Sequence, residues 1–217
     1  MSLAMKRIEL AEGISPVNKR GILKEVAEVA QMHKSMLSES FLSSLGENFL
    51  RCLYRTLAEY PDGILIVTEE KGNVTGFVSG VLNIKNFYRY FLRKNFWRLP
   101  FLLLSRAFSA AAFKKILELK FYCQRSKENI RFNQPSVNAE LLSMAVQEGF
   151  QRKGAGAFLF SGLAQEFKQK NVDSFKIIVG AKLKKAVSFY QKMGCVLNGQ
   201  TEIHRGDESY IYFYRIN

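Results

Sequence analysis

Residues 139–163 read AELLSMAVQEGFQRKGAGAFLFSGL. An apolar run, Leu141 to Val146, stops at a polar junction; beyond it Phe160, Leu163, Ala164 and Phe167 recur at helical spacing. The spacing predicts a strand over Ala139–Val146 and a helix from about Ala157 to Lys170. Between them lie glycines at 149, 154 and 156 and the cluster Gln151-Arg152-Lys153. Glycine at such a junction permits positive φ and lets another backbone approach closely. The helix that follows offers unbonded N–H groups and the positive end of its dipole. Strand, glycine-rich bend and helix N-terminus together make a pocket for an anion, most often a phosphate.

The pattern on either side of this unit predicts the rest of the fold. Downstream, FKIIVG (Phe175–Gly180) is a second apolar strand, and Lys184 to Met193 forms a helix that Gly194 closes as its C′ residue. The last 23 residues read as two strands around a polar turn at Arg205–Ser209. Upstream, Ile22, Val26, Val29, Ala30 and Leu37 share a stripe in a helix over Val17–Leu37. A second helix is expected over Ser40–Glu59, with Phe41, Leu45, Phe49, Leu53, Tyr54 and Leu57 inward and Ser38 or Ser40 as N-cap. Gly63–Glu70 and Thr75–Asn83 read as a hairpin turned by KGNV. This order predicts an α/β fold: one mixed, mostly antiparallel central sheet flanked by helices, in a single domain over 1–217. A helical basic and aromatic insertion at 84–131 separates the third and fourth strands.

Composition narrows the chemistry. The 217 residues are 47% hydrophobic and 24% charged, as expected of a globular chain with a sizeable core. Cys52, Cys123 and Cys195 stand far apart with no CxxC pair, which argues against a disulfide framework or zinc cluster and suits a reducing compartment. The opening MSLAMKRIELAEG lacks the continuous apolar segment of a signal peptide, so a cytoplasmic location is expected. Met5 offers a second start, and Met1–Ala4 are left out of the expected fold. A net charge of +13 predicts anionic partners.

Three phosphate loops are to be compared. No segment matches the P-loop pattern G-x-x-x-x-G-K-[ST]. The dinucleotide pattern G-x-G-x-x-G begins at Gly154 and Gly156 but meets the bulky Leu159 at its third glycine, and Asp173 precedes its strand instead of ending it. The third comparison covers more of the chain. AELLSMAVQEGFQRKGAGAFLFSGL resembles the acetyl-CoA-binding core of the GNAT acetyltransferases, with Gln151, Gly154 and Gly156 at the positions of [QR]-x-x-G-x-[GA]. AVSFYQKMG (Ala186–Gly194) is similar to that family's A-x-x-[FL]-Y-x-K-x-G segment. Leu183 departs from a common asparagine, Cys195 from a common aromatic, and the 84–131 insertion is longer than usual.

The resemblance implies that the strand 139–146 splays from 175–180 to admit pantetheine. Met144, Ala145 and Val146 would then contact the cofactor, while Gln151, Arg152, Lys153, Gly154, Ala155, Gly156 and Ala157 cradle the diphosphate, with no metal required. It also implies Tyr190 as proton donor to the departing thiolate; the alternative is a packing role beside Phe189. Glu140 takes the place of a general base, against the alternative of a solvated strand-edge carboxylate. His33 is implied at the acceptor pocket, against the alternative of a cation at a helix C-terminus. His204 belongs to a surface turn. The implied function is N-acetyl transfer from acetyl-CoA to a primary amine on a small molecule, amino sugar or peptide N-terminus. The competing class is a non-catalytic basic module that uses the fold for acyl-CoA sensing or for association with membrane or nucleic acid.

The insertion carries twelve Lys/Arg against two acids, and eleven aromatics. Its longest uncharged runs, Leu99–Ser105 and Ala107–Phe113, fall short of the roughly 20 apolar residues of a bilayer span. Four readings stay open: a helical lid that shapes the acceptor pocket, an anionic membrane contact, a nucleic-acid contact and a homodimer interface. Aromatic density favours the lid; nucleic acid is not the expected partner.

Overall fold

The computed structural model describes residues 4–10, 16–99, 137–204 and 207–216. Strand β2 (Gly63–Glu70, GILIVTEE) has apolar side chains on both faces because both faces of the sheet are covered. Leu65 and Val67 enter one core with Phe49, Leu53 and Phe77; Ile64 and Ile66 enter a second with Leu159, Leu163 and Phe167. On the first face lie α1 (Pro16–Met36), α3 (Glu47–Glu59) and α4 (Ile84–Asn95). On the second lie α5 (Ala155–Gln169) and α6 (Lys184–Lys192).

The seven strands run β1-β2-β3-β4-β5-β7-β6 across the sheet. They are β1 (Ala4–Arg7), β2, β3 (Asn73–Val81), β4 (Glu140–Val146), β5 (Ser174–Gly180), β6 (Val196–His204) and β7 (Asp207–Arg215). Every neighbouring pair is antiparallel except β4 and β5, which are parallel. The mixed, mostly antiparallel sheet expected from the sequence is the one found. Helix α5 lies close on β3 because Gly80 leaves room for it. A Cβ there would fall 2.8 Å from Leu163 Cδ1 and 2.9 Å from Phe167 Cζ.

Two expectations are corrected. Ala4, left out of the expected fold, and Met5–Arg7, to which no element is assigned from the sequence, form an edge strand paired with Ile66–Glu69. Arg7 ties it to α5 through Glu166, and Met5 packs where Gly162 has no side chain. A short strand of sequence AMKR carries little periodicity; its partner strand defines it. The single helix expected over Ser40–Glu59 is two, α2 (Phe41–Ser44) and α3. Gly46, at φ 94°, breaks the turn between them. Ser40 does cap α2, its hydroxyl accepting from the Ser43 N–H at 3.2 Å. Of the insertion, α4 and the residues to Leu99 are described; Pro100 and 101–131, like Arg205 in the last turn, lie outside the described residues.

Candidate functional site

Strand β4 pairs with β3 from Val81↔Glu140 to Gly76↔Val146. The register shifts between Ser79 and Gly80, leaving Leu142 as an extra residue on β4. The bulge changes the phase of the strand. Leu141, Met144 and Val146 pack on the α5 side, whereas Leu142 and Ala145 pack on the α1 side. On its other edge β4 pairs with β5 only at Glu140↔Lys176 and Leu141↔Ile177. Beyond those pairs β5 stays with β7 as far as Gly180↔Ser209 while β4 stays with β3. The two strands therefore part toward their C-terminal ends, and backbone groups of Leu142–Val146 face a cleft instead of a neighbouring strand.

The glycine loop closes the open end of that cleft. After a 3-10 turn over Glu148–Phe150, Arg152 adopts φ 59° and Gly154 φ 85°. An L side chain at Gly154 would be strained, so glycine is required there by conformation. At Gly156 space is tight: a Cβ would stand 3.3 Å from Phe189 Cε2, where α5 meets α6, and the ring would have to give by a few tenths of an ångström. Residues 151–154 are exposed, Gly154 is the N-cap of α5, and no side chain caps the helix. Its first-turn amides thus point outward with the positive dipole end behind them. The nearby side chains bond elsewhere: Gln151 Nε2 donates to the Val146 carbonyl at 2.8 Å and Lys153 Nζ to the Gly149 carbonyl at 2.7 Å. Leu183 caps α6 with no side-chain hydrogen bond and is 46% exposed.

At the closed end lies an ion pair. Glu140 is 4% exposed and its Oε2 stands 3.2 Å from Lys176 Nζ. Glu140 is therefore a buried paired carboxylate, not the solvated strand-edge group of the alternative. Sequence reading missed Lys176, although a lone lysine inside the apolar strand FKIIVG and a lone glutamate at the head of AELLSMAV were the available signal.

Tyr190 is 6% exposed, its ring packed against Phe160 and Phe189 in the α5–α6 core. Burial pushes its phenol well above its ordinary value. The neighbouring Cys195 thiol is pushed up to about 12 for the same reason. His33, near the end of α1, is buried and is not the solvent-facing helix-end cation of the alternative. It is 1% exposed, with Nδ1 2.5 Å from Tyr54 Oη and Nε2 3.0 Å from Ser40 Oγ. Burial lowers its pKa to about 4. The hydroxyls of Ser143 and Ser79 lie near the Tyr54 phenol, and Ser79 Oγ donates to the Ser143 carbonyl at 3.2 Å. His33 thus ties the α1–α2 link to α3 through buried hydrogen bonds, a connection that sequence spacing does not contain.

Among the described residues no group of three or more His, Cys, Asp or Glu could hold a metal ion. Cys52 and Cys195 are free thiols, and no described helix is long and apolar enough to cross a membrane.

Residues 125–206 match the family model described as an acetyltransferase (GNAT) domain. An acetyltransferase of the GNAT family from Streptococcus pneumoniae superposes with TM-score 0.55 at 14% identity, covering 100% of each chain. Arabidopsis thaliana NAA60 in complex with acetyl-CoA gives 0.57 at 13%, covering 100% of this chain and 99% of that one. Ard1 from Thermoplasma volcanium gives 0.56 at 17%, covering 99% of each. No curated protein matches by sequence at a significant level. The fold, the strands that part beside a glycine-rich helix start and the domain model matched over residues 125–206 lead to one conclusion: the chain shares the fold of the GNAT acetyltransferases and is similar to them.

Proposed function

We propose that this chain is an N-acetyltransferase that moves the acetyl group of acetyl-CoA to a primary amine of a small molecule, amino sugar or peptide N-terminus, by direct attack in a ternary complex. The observation that carries this reading is the parting of β4 and β5 after two residue pairs, beside an exposed loop whose helix amides have no side-chain cap. Unpaired backbone groups along an interior strand are costly unless a solvent or ligand bonds to them. A chain of amide groups such as pantetheine matches that need, and a diphosphate matches the amides of 151–157. Arg152 and Lys153 add positive charge there.

Bound in the cleft, acetyl-CoA supplies an acetyl group activated as a thioester. A backbone N–H of Leu142–Val146 polarises the thioester carbonyl as negative charge develops on it. Glu140, paired with Lys176, receives the proton that the attacking ammonium must lose, directly or through a water. The N–C bond forms and the C–S bond breaks; Tyr190 gives its proton to the departing sulfur and recovers one, through water, from the second proton that the new amide nitrogen sheds. The depth of Tyr190 suits that role, because desolvation keeps the phenol protonated until a thiolate is formed beside it. Alignment of the two reactants contributes up to about 7–11 kcal/mol in well-oriented systems, so few chemical groups are needed.

The test is calorimetric titration with acetyl-CoA, followed by a screen of amines that reports free CoA. Saturable binding together with amine-dependent thiol release is the expected result. Absence of binding would sink the cleft assignment, and binding without release from any amine would turn the reading toward acyl-CoA sensing.

A further inference from the structure

Helix α4 reads IKNFYRYFLRKN and continues into Phe96-Trp97-Arg98. Ile84, Phe87, Tyr88, Phe91 and Asn95 are buried and form its inner face. Asn86, Arg89, Arg93, Phe96 and Trp97 are exposed and lie at i, i+3, i+7, i+10 and i+11, one stripe on the opposite side. From Ile84 to Arg98 there are five basic residues and no acid. Lys94 turns away from the stripe, pairing with Glu59 at 3.0 Å and lying over the Tyr90 ring, which leaves the charge of Arg89, Arg93 and Arg98 outward. At the end of the stripe Phe96 is 64% and Trp97 82% exposed. The two rings meet edge to face, centroids 5.3 Å apart at 81°.

The geometry points to a membrane-docking surface: the Arg89–Arg93 stripe, with the exposed Arg98 beside it, binds the anionic headgroups of a lipid bilayer, and the Phe96–Trp97 knob enters the headgroup–acyl boundary. Guanidinium groups pair with phosphates bidentately, and a basic stripe beside Trp and Phe is the composition of a helix lying in the interfacial plane. The same charges would attract a nucleic acid, but the rings are arranged against it. Phe96 and Trp97 lean on each other as one apolar body, whereas base stacking needs separated ring faces along a groove.

Trp97 is the only tryptophan of the chain, so its fluorescence reports this surface alone. In lipid-free protein its emission is expected to be that of a solvated indole. It should shift to the blue on adding vesicles of equimolar phosphatidylcholine and phosphatidylglycerol, fade back as salt is raised and stay unmoved by phosphatidylcholine alone. Arg89→Gln and Arg93→Gln should each lower vesicle partitioning about fivefold, and Phe96→Ser should abolish the blue shift while acetyl transfer to soluble amines is unchanged. Co-sedimentation of Trp97→Phe gives a second readout that does not depend on the indole. A blue-shifted emission before lipid is added, no response to anionic vesicles, or an equal response to neutral ones would overturn the proposal. Quenching by single-stranded RNA without any vesicle response would overturn it in favour of nucleic acid.

Discussion

The two edges of β4 are made from the same seven residues and behave in opposite ways. Toward β3 the strand is zipped along its whole length, from Glu140 to Val146. Toward β5 it is zipped for two residues and then open. Side-chain pattern does not separate the edges, because each residue contributes to both. What differs is the partner. β3 has Gly76 and Gly80 where α5 presses on the sheet, and β2 holds it from behind. β5 is held over its whole length by β7 instead. A strand gripped along its outer edge does not follow β4 once the bulge at Leu142 has turned it. The comparison teaches that a ligand cleft in a sheet needs no special residue at the opening, only two strands each anchored to a different neighbour.

The point where pairing ends is the first place to break this contrast. Lys176→Met should destabilise the protein by roughly 3–5 kcal/mol, since it leaves Glu140 buried without its cation. Lys176→Met/Glu140→Leu should recover most of the loss. Urea midpoints measure both; a loss under 1 kcal/mol for the single variant would mean that the ion pair is not what holds the closed end.

The open edge can be probed by chemistry. Tyr190→Phe should lower kcat by about 100-fold, the lower range of what a positioned proton donor contributes, with acetyl-CoA affinity nearly unchanged. Steady-state kinetics beside calorimetry decides it: an unchanged kcat would reduce Tyr190 to a packing residue between Phe160 and Phe189.

The helices beside the zipped edge have their own pH signature. His33, hydrogen-bonded to Tyr54, has a folded pKa of about 4 against about 6.5 in the unfolded chain. Between those values the unfolded state binds the extra proton, so stability is complete above pH 6.5, falls as pH drops and levels off below pH 4. Stability should be about 2 kcal/mol lower at pH 5 than at pH 7 from this group. His33→Gln should flatten that slope, as chemical denaturation at the two pH values would show; an unchanged slope would assign the pH dependence elsewhere.

The smallest effect belongs to the loop. Arg152→Ala and Lys153→Ala, both exposed, should each weaken acetyl-CoA binding by about fivefold at low salt and less at high salt, because solvent and ions screen them. An effect that does not fade with salt would show a structural role in holding the bend.

Much of this architecture was legible because its signals are local. AELLSMAV, FKIIVG and the stripe Val26–Val29–Ala30 each carry a period that a half-buried or doubly buried element must have. The loop QRKGAG carries the conformational demand of Gly154 directly. Less legible were features made by partners distant in sequence: the edge strand Ala4–Arg7, the Glu140–Lys176 pair across parallel strands, and the placement of His33.

By itself, then, the amino-acid sequence determined the order and type of most elements and the position of the anion-binding bend, since hydrophobic periodicity and positive-φ glycines act within a few residues. Only the tertiary structure decided that β4 and β5 separate, that His33 is sealed from solvent behind Tyr54 and Ser40, and that Trp97 stands outside the core beside three arginines. Those outcomes depend on which strand grips which edge and which helix covers which face, and burial is set by neighbours that local sequence does not name.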